Sequence, residues 1–307
     1  MMKTTNKKDY FEVAPGIWGM KIIFVNIYMV QQGDDWILID AGLKGFAGKI
    51  IKMAEKLFGS NNPPAAIVLT HAHFDHRGSI EELLHAWDVP VYAHEFELQF
   101  LNGRSSYPPP DPNVGGGFMS LFSIFYPRRP VNLGNRVHAL PNDGSVPLLH
   151  GWRYIFTPGH TPGHISLFKE KDDVLIAGDA FVTTRQESVI ATLASIKVIS
   201  GPPKYFTPDW IAAKQSVVKL RDINPKIAAT GHGKPMSGGA LKRGLDYLVA
   251  NFDEVAIPSY GRYVKERAIV SRSGQQFIPS AKINPFFIVS LIGLIGVLTF
   301  AVYKKQM

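Results

Sequence analysis

Residues 70–79 read Thr-His-Ala-His-Phe-Asp-His-Arg-Gly-Ser and follow the apolar run Ala-Ile-Val-Leu at residues 66–69. The stretch concentrates four potential metal ligands, which are His71, His73, Asp75 and His76. Imidazole and carboxylate groups bind zinc, iron and manganese. Because a short run of apolar β-forming residues is typical of a buried strand, the stretch predicts a metal site at the end of a β-strand.

Three later segments also place a potential ligand directly after an apolar run. Their ligands are His160, Asp179 and His232, and each has a glycine beside it. Strand ends of an α/β sheet meet at one edge, and glycine lets the backbone turn sharply there. We therefore expect these side chains to join the first cluster and to form a site for two metal ions.

The rest of the chain alternates between strand-like and helix-like patterns. Strands are predicted at residues 66–69, 146–149, 165–169, 174–177 and 227–229, and helices at residues 46–57, 208–222 and 239–255. This alternation predicts the α/β fold class. Residues 1–255 are predicted to form one catalytic domain.

Composition excludes several functions. The 307 residues contain no cysteine, which excludes disulfides, thiolate metal sites and cysteine nucleophiles. The net charge of +8 divides unequally, with +2 on residues 1–255 and +6 on residues 256–307. A nearly neutral body argues against nucleic acid as a partner. The basic tail suits an anionic membrane surface instead.

The end of the chain predicts a membrane anchor. Residues 286–302 are apolar apart from two hydroxyl residues and two glycines, and a tyrosine and two lysines follow them. We predict a transmembrane helix at residues 284–303, a basic linker at 256–283 and a short tail at 304–307. The first ten residues lack the apolar segment of a signal peptide. The excess of cations before the span predicts a single-pass protein of the cell membrane with a cytoplasmic catalytic domain.

Residues 102–135 interrupt the alternation. They contain three consecutive prolines, three consecutive glycines and the aromatic stretch at residues 118–126. A connection of this length is usually functional or disordered. Three interpretations stay open: a short helix packed on the body, a lid over the site, or a segment that dips into a nearby membrane.

The four ligand segments resemble the metallo-β-lactamase superfamily. The pattern His-x-His-x-Asp-His is complete at residues 71–76, and the segments around His160, Asp179 and His232 follow in the family's order. The resemblance covers most of residues 11–255. It implies an αββα sandwich with metal ions at one edge.

The resemblance also implies a role for each ligand. For the first metal it implies His71, His73 and His160, and for the second Asp75, His76 and His232. Asp179 is the implied bridging carboxylate, and Asp40 is implied to support the site without binding metal. The implied cofactors are two divalent ions, zinc first, with iron or manganese as alternatives. A hydroxide that bridges the metals would be the nucleophile, and Asp75 would orient it or move its proton.

These implications favour a hydrolase of a small ester, thioester or lactone, in the glyoxalase II-like or lactonase-like branch of the family. The aromatic stretch and the predicted anchor favour a hydrophobic acyl substrate. Three alternatives stay open: a mononuclear iron redox enzyme such as a persulfide dioxygenase, a phosphodiesterase, and a membrane-tethered binding module without catalysis.

The other histidines carry weaker signals. His164 follows His160 by four positions and is interpreted as a structural histidine, with a supporting role near the ligands as the alternative. No motif surrounds His85, His94, His138 or His150, so these four are predicted to be ordinary surface or core residues.

Overall fold

The computed structural model describes residues 10–281 apart from 116, 186–187 and 189–196. Its first sheet has seven strands in sequence order. The first four form an antiparallel meander, and the last three run parallel to the fourth. The strands are β1 (Phe11–Ala14), β2 (Ile17–Ile22), β3 (Val25–Gln32), β4 (Asp35–Ile39), β5 (Ala66–Val68), β6 (Val91–Ala93) and β7 (Val137–Ala139).

The second sheet has five strands in the order β12-β11-β10-β9-β8. Strand β10 is parallel to β11, and the other neighbours are antiparallel. The strands are β8 (Trp152–Phe156), β9 (Ile165–Lys169), β10 (Val174–Ile176), β11 (Ile227–Ala229) and β12 (Met236–Ser237). Residues 146–149 were predicted to be a strand, but they do not form one, because Leu148 takes a φ of +63°.

Helices cover the outer face of each sheet. On the first sheet lie α1 (Ala47–Phe58), α2 (Ile80–Ala86) and α3 (Leu98–Leu101). On the second lie α5 (Trp210–Asp222), α6 (Gly238–Ala250) and α7 (Phe252–Val255). Asn251 separates α6 from α7, so the helix predicted at residues 239–255 is divided in two.

Three hydrophobic cores hold the layers together: one between each sheet and its helices, and one between the two sheets. Strand β3 shows how the sequence produces this arrangement. Ile27 and Met29 pack toward the helices, whereas Tyr28 and Val30 pack toward the second sheet. Successive side chains of a strand point to opposite faces, so the apolar residues 27–30 of β3 are buried on both sides of the sheet. The result is an αββα sandwich, which confirms the predicted fold class.

The insert at residues 102–135 contains a short helix, α4 (Phe118–Phe122), between two one-turn 3-10 helices at Pro112–Val114 and Ser123–Phe125. Asp111 accepts a hydrogen bond from the backbone N–H of Asn113 at 3.0 Å and begins the first of these turns. The insert returns to the body at β7, which completes the edge of the first sheet.

Most of the predicted basic linker packs on the body instead of extending from it. Tyr263 and Ala268 are buried in the core beneath α5 and α6. Residues 269–277 form a hairpin of β13 (Ile269–Ser271) and β14 (Gly274–Phe277). The apolar residues between the charges explain the difference, because they give this segment a face to bury.

Among the residues that the structure describes, no helix is both long enough and apolar enough to cross a membrane. The predicted transmembrane helix at 284–303 and the tail at 304–307 lie outside the described residues.

Candidate metal centre

The predicted ligands meet at one edge of the sandwich. The loop after β5 carries His71, His73, Asp75 and His76, and the loops after β8, β10 and β11 carry His160, Asp179 and His232. The donor atoms form three groups, and the atoms within each group lie within 4.8 Å of one another. They are His71 with His73 and His160, His71 with His76 and Asp179, and Asp75 with His76 and His232.

Asp179 lies between the groups. Its Oδ2 is 3.1 Å from Nε2 of His232 and 3.5 Å from Nε2 of His160. Its Oδ1 is 3.6 Å from Nε2 of His76. One carboxylate thus faces donors from both predicted ligand sets, which is the geometry that a bridging ligand needs.

Asp40 orients two of the histidines without facing the donor groups. It ends β4 with a φ of +62°, a conformation that is uncommon outside glycine. Its Oδ2 accepts a hydrogen bond from Nδ1 of His76 at 2.8 Å. It also accepts from the Thr70 hydroxyl at 2.8 Å, so the Thr70 oxygen is available to Nδ1 of His71 at 3.1 Å. Both imidazoles therefore carry their proton on Nδ1 and keep Nε2 for a metal.

His232 is oriented by the first sheet. Its Nδ1 lies 2.8 Å from the carbonyl oxygen of Phe24, in the turn between β2 and β3. The Asn26 side chain donates to the carbonyls of Thr230 at 2.9 Å and Gly233 at 2.7 Å. These bonds fix the loop after β11 against the first sheet and leave Nε2 of His232 directed at Asp179.

His164 supports Asp179 by accepting a hydrogen bond. The backbone N–H of Asp179 donates to Nε2 of His164 at 2.8 Å, so the ring proton is on Nδ1, which donates to Thr157 Oγ1 at 2.8 Å. Burial lowers the pKa of His164 to about 3, which keeps the ring neutral as this bond requires. This geometry corresponds to the alternative interpretation of His164, a supporting role near the ligands.

The charges at the site favour the deprotonated form of His71, His73 and Asp179. Burial would lower the pKa values of His76 and His232, but Asp179 outweighs it and raises both, so a metal must displace their protons. Burial, with the neighbouring histidines, lowers the pKa values of His71 and His73 well below the usual range. Burial would raise the pKa of Asp179, but His232 and His76 outweigh it and hold that pKa well below its usual range. Burial raises the pKa of Asp75, the residue predicted to move a proton.

Several buried donor atoms indicate that the site is built for cations. Nε2 of His71, Nε2 of His76 and Oδ1 of Asp179 have no hydrogen-bond partner within the described part of the chain. A buried polar atom without a partner is costly, and a bound cation would remove that cost. Histidine and carboxylate donors without thiolates suit zinc, iron or manganese. The residues therefore fit the two divalent ions that the sequence predicts.

Glu97 is a supporting residue that the sequence did not reveal. Its buried carboxylate accepts hydrogen bonds from the backbone N–H of Ala72 at 3.0 Å, the hydroxyl of Thr161 at 2.8 Å and the N–H of Gly163 at 2.8 Å. The hydroxyl of Tyr107 donates to it as well. Glu97 thus connects the loop of His71 and His73 with the loop of His160. No motif surrounds this glutamate, so only the fold could identify it.

An aromatic cleft adjoins the first group of donors. Its walls include the ligand candidates His73 and His160 together with Tyr107, Phe206 and Tyr263, and three prolines complete the lining. The Phe206 ring stacks on His73 with centroids 4.5 Å apart. A substrate that reaches the donors from this side meets an apolar surface.

The remaining histidines lie apart from the donors. The three groups do not include His85, His94, His138 or His150 in the described residues. His94 is buried and stacks on Phe156 with centroids 4.3 Å apart, and the other three are exposed.

Comparison with known proteins agrees with this geometry. The sequence profile of the metallo-beta-lactamase superfamily matches residues 21–232. The probable metallo-hydrolase YflN of Bacillus subtilis is 43% identical over 80% of this chain and 94% of its own length. The probable metallo-hydrolase YqgX of the same organism is 32% identical over 66% of this chain and 92% of its own.

Solved structures share the fold at lower identity. The B3 metallo-beta-lactamase BLEG-1 matches with a TM-score of 0.56 and 24% identity, over 76% of this chain and 99% of its own. TTHA1623, solved in a di-iron-bound form, matches with a TM-score of 0.52 and 24% identity, over 74% and 96%. The fold, the donor groups and the sequence relatives lead to the same assignment. The protein is a metal-dependent hydrolase that belongs to the metallo-β-lactamase superfamily.

Proposed function

We propose that the protein is a dinuclear metal-dependent hydrolase of a small ester, thioester or lactone. The observation that carries the proposal is the position of Asp179 between two sets of donors. Its two oxygens lie 3.1–3.6 Å from imidazole nitrogens of His76, His160 and His232. A site for one metal would need only one of these sets.

Two bound divalent ions would lower the pKa of a shared water and so supply a nucleophile at neutral pH. The chain's residues hold and orient the reacting groups. Asp75 lies at the second set, with Oδ2 3.5 Å from Nε2 of His232. Since burial raises its pKa, Asp75 is the residue proposed to take a proton at Oδ2. We propose zinc as the metal, and the di-iron form of TTHA1623 makes iron the first alternative.

The apolar walls of the cleft, whose volume is about 10 Å³, support an acyl substrate that would have to open it further on binding. Tyr107, Phe206 and Tyr263 line it beside His73 and His160, and in the described residues the lining contains no lysine or arginine. A charged phosphodiester would find no cationic partner on these walls. We therefore place the protein in the glyoxalase II-like or lactonase-like branch, with a hydrophobic acyl compound as the substrate class.

We also propose a membrane anchor at residues 284–303, with the catalytic domain on the cytoplasmic side of the cell membrane. The apolar composition of residues 286–302 and the cations on both sides of them support it. A reporter enzyme fused after Met307 is expected to be active outside the cytoplasm. A reporter that is active only in the cytoplasm contradicts the anchor.

The hydrolase proposal is tested with the purified full chain. Metal analysis is expected to give about two zinc ions per chain, and a panel of ester, thioester, lactone and phosphodiester substrates is expected to show acyl hydrolysis. Asp179→Ala should abolish both the zinc binding and the acyl hydrolysis. Asp88→Ala is the matched control, because Asp88 is 91% exposed and pairs only at 3.5 Å with Arg136.

Other results would select the alternatives. One iron per chain with oxygen consumption on a persulfide would establish the redox enzyme. Cleavage of the phosphodiester alone would establish that activity. A cellular phenotype that survives Asp179→Ala would favour a binding module.

A further inference from the structure

The aromatic stretch of the insert is oriented against the usual rule for helices. Ser120 and Ser123 are buried, whereas large apolar side chains of the same turns face outward. We call these side chains the aromatic patch: Phe118 (55% exposed), Phe122 (40%), Ile124 (47%) and Phe125 (73%). A helix on a protein surface normally buries its apolar face. The reversed orientation indicates that the patch faces a second apolar phase.

Hydrogen bonding does not explain why the serines face inward. The hydroxyl oxygens of Ser120 and Ser123 are buried and have no hydrogen-bond partner among the described residues. The buried serine hydroxyls therefore contribute no hydrogen bond that would stabilise this orientation of the turn. It leaves four apolar side chains in water, which is unfavourable unless something apolar covers them.

A series of side-chain contacts joins helix α4, which carries part of the patch, to the metal centre. The Tyr126 hydroxyl lies 3.5 Å from the sulfur of Met119 in α4. The Tyr126 ring contacts Phe74 and Phe206 at centroid distances of 5.2 and 5.9 Å. Phe206 in turn stacks on His73 at 4.5 Å. The side chains between α4 and the donors are thus largely apolar, which suits an acyl chain that leaves an apolar phase at the patch.

The charge around the patch favours an anionic surface. Residues 112–142 contain three arginines and no aspartate or glutamate. Arg128 and Arg129 follow the last patch residue by three and four positions and are exposed. Aromatic side chains beside cations are typical of segments that lie in the interface of an anionic bilayer.

The last described segment before the predicted anchor contacts the same insert. The Gln275 side chain of β14 donates to the carbonyl of Ser106 in the insert. The described chain ends at Ala281, and the apolar run starts at Phe286. Five extended residues span at most about 18 Å. If the run is in a bilayer, the body is held near its surface.

We propose that the aromatic patch lies in the interfacial layer of an anionic bilayer and admits a membrane-dissolved acyl substrate to the metal centre. The inference rests on the proposed anchor and substrate class. The experiment below therefore measures the position of the patch separately from the position of the anchor and from activity.

The chain has no cysteine, so single labels can be placed freely. The full chain is reconstituted in vesicles of phosphatidylglycerol and phosphatidylcholine, and a fluorophore is attached to Phe125→Cys. Ile211→Cys is the matched control, because Ile211 is an isolated apolar side chain on α5 that is 65% exposed. Ser290→Cys reports on the anchor.

Nitroxide groups on the lipid chains are expected to quench the label at position 125 several-fold more than the label at 211, and iodide in the water to quench it less. Equal quenching at both positions overturns the proposal. So does a label at 125 that is protected from iodide but not quenched by lipid, because protein would then cover the patch. Quenching at position 290 without quenching at 125 rejects the patch and retains the anchor.

Activity gives an independent measurement. The triple variant Phe118→Gln, Phe122→Gln and Phe125→Gln is expected to hydrolyse a short, water-soluble thioester at the wild-type rate. Its rate on a long-chain acyl thioester in the vesicles should fall at least about tenfold, which is the partitioning factor of a single aromatic side chain, because the anchor still holds the protein at the bilayer. An equal loss on both substrates, or on neither, overturns the route. A wild-type protein that cleaves neither thioester refutes the substrate class while the quenching result stands.

Discussion

The buried carboxylate of Glu97 offers the sharpest test of how the metal centre is held, through the substitution Glu97→Gln. The wild-type carboxylate accepts four hydrogen bonds, two at each oxygen. Glutamine has one oxygen and one NH₂ group. The hydroxyls of Tyr107 and Thr161 can rotate to accept from that NH₂ group, but a backbone N–H cannot. One orientation of the amide leaves the Gly163 N–H without an acceptor. In the other orientation the Ala72 N–H loses the glutamate oxygen and keeps only the Tyr107 hydroxyl oxygen at 2.9 Å.

The second orientation loses one hydrogen bond without leaving an unpaired donor, so we expect the free energy of unfolding to fall by about 0.5–1.5 kcal/mol. The two backbone groups adjoin the ligand candidates His71, His73 and His160, so metal binding should weaken too. Loss of a supporting residue around a metal typically costs about 10–100-fold in affinity. Urea unfolding measures the first effect, and competition for zinc with a coloured chelator measures the second.

Glu95→Gln is the matched control, since it makes the same chemical change two residues away. Glu95 pairs with Arg272 at the surface, and surface pairs contribute about 0–1 kcal/mol. Equal urea midpoints and equal zinc retention for wild type and Glu97→Gln would refute the reasoning. An equal loss in both variants would refute it as well.

Three further predictions follow from the same geometry. Gly231→Ala should abolish zinc binding in metal analysis, because its Cβ would lie 2.0 Å from Oδ1 of Asp179. By contrast, Gly48→Ala at an exposed position of α1 should raise the free energy of unfolding by about 0.5–1 kcal/mol. Asp40→Asn should lower the zinc content toward one ion per chain. In one orientation the amide turns its NH₂ group toward the Nδ1–H of His76 and in the other toward the backbone N–H of Thr70, so each orientation disturbs the loop that carries the first ligand cluster. Two retained ions would contradict this. Burial lowers the pKa of His94, so the neutral ring stabilises the fold above the unfolded pKa of about 6.5 and this contribution is lost as the pH falls below it. His94→Phe should therefore show a smaller drop in urea midpoint between pH 7.5 and 5.5 than wild type. An unchanged drop would contradict a lowered pKa of His94.

The sequence predicted the elements whose local pattern is strong. The apolar run at residues 66–69 and the histidines after it identified both a strand and the edge where the donors meet. The fold class followed from the alternation of strands and helices. These signals are local, so a single sequence carries them.

What the sequence missed depends on contacts between distant residues. Glu97 lies in an ordinary polar context, and its role arises only because Ala72 and Gly163 approach it from two loops. The buried residues within the predicted linker at 256–283 were not visible in the sequence for a related reason. Its charges are visible in the sequence, but the core that receives Tyr263 and Ala268 is formed by α5 and α6.

The donors at the edge come from both sheets: His71 to His76 from the first, and His160, Asp179 and His232 from the second. Metal ions held there would cross-link the two halves of the chain, in the way that a disulfide closes a long loop. Since a ligand that binds only the folded state stabilises it, loading the metals and docking the two sheets become one cooperative event. A mutation far from the edge that loosens the contact between the sheets would then appear in cells as metal deficiency, and a shortage of metal would appear as misfolding.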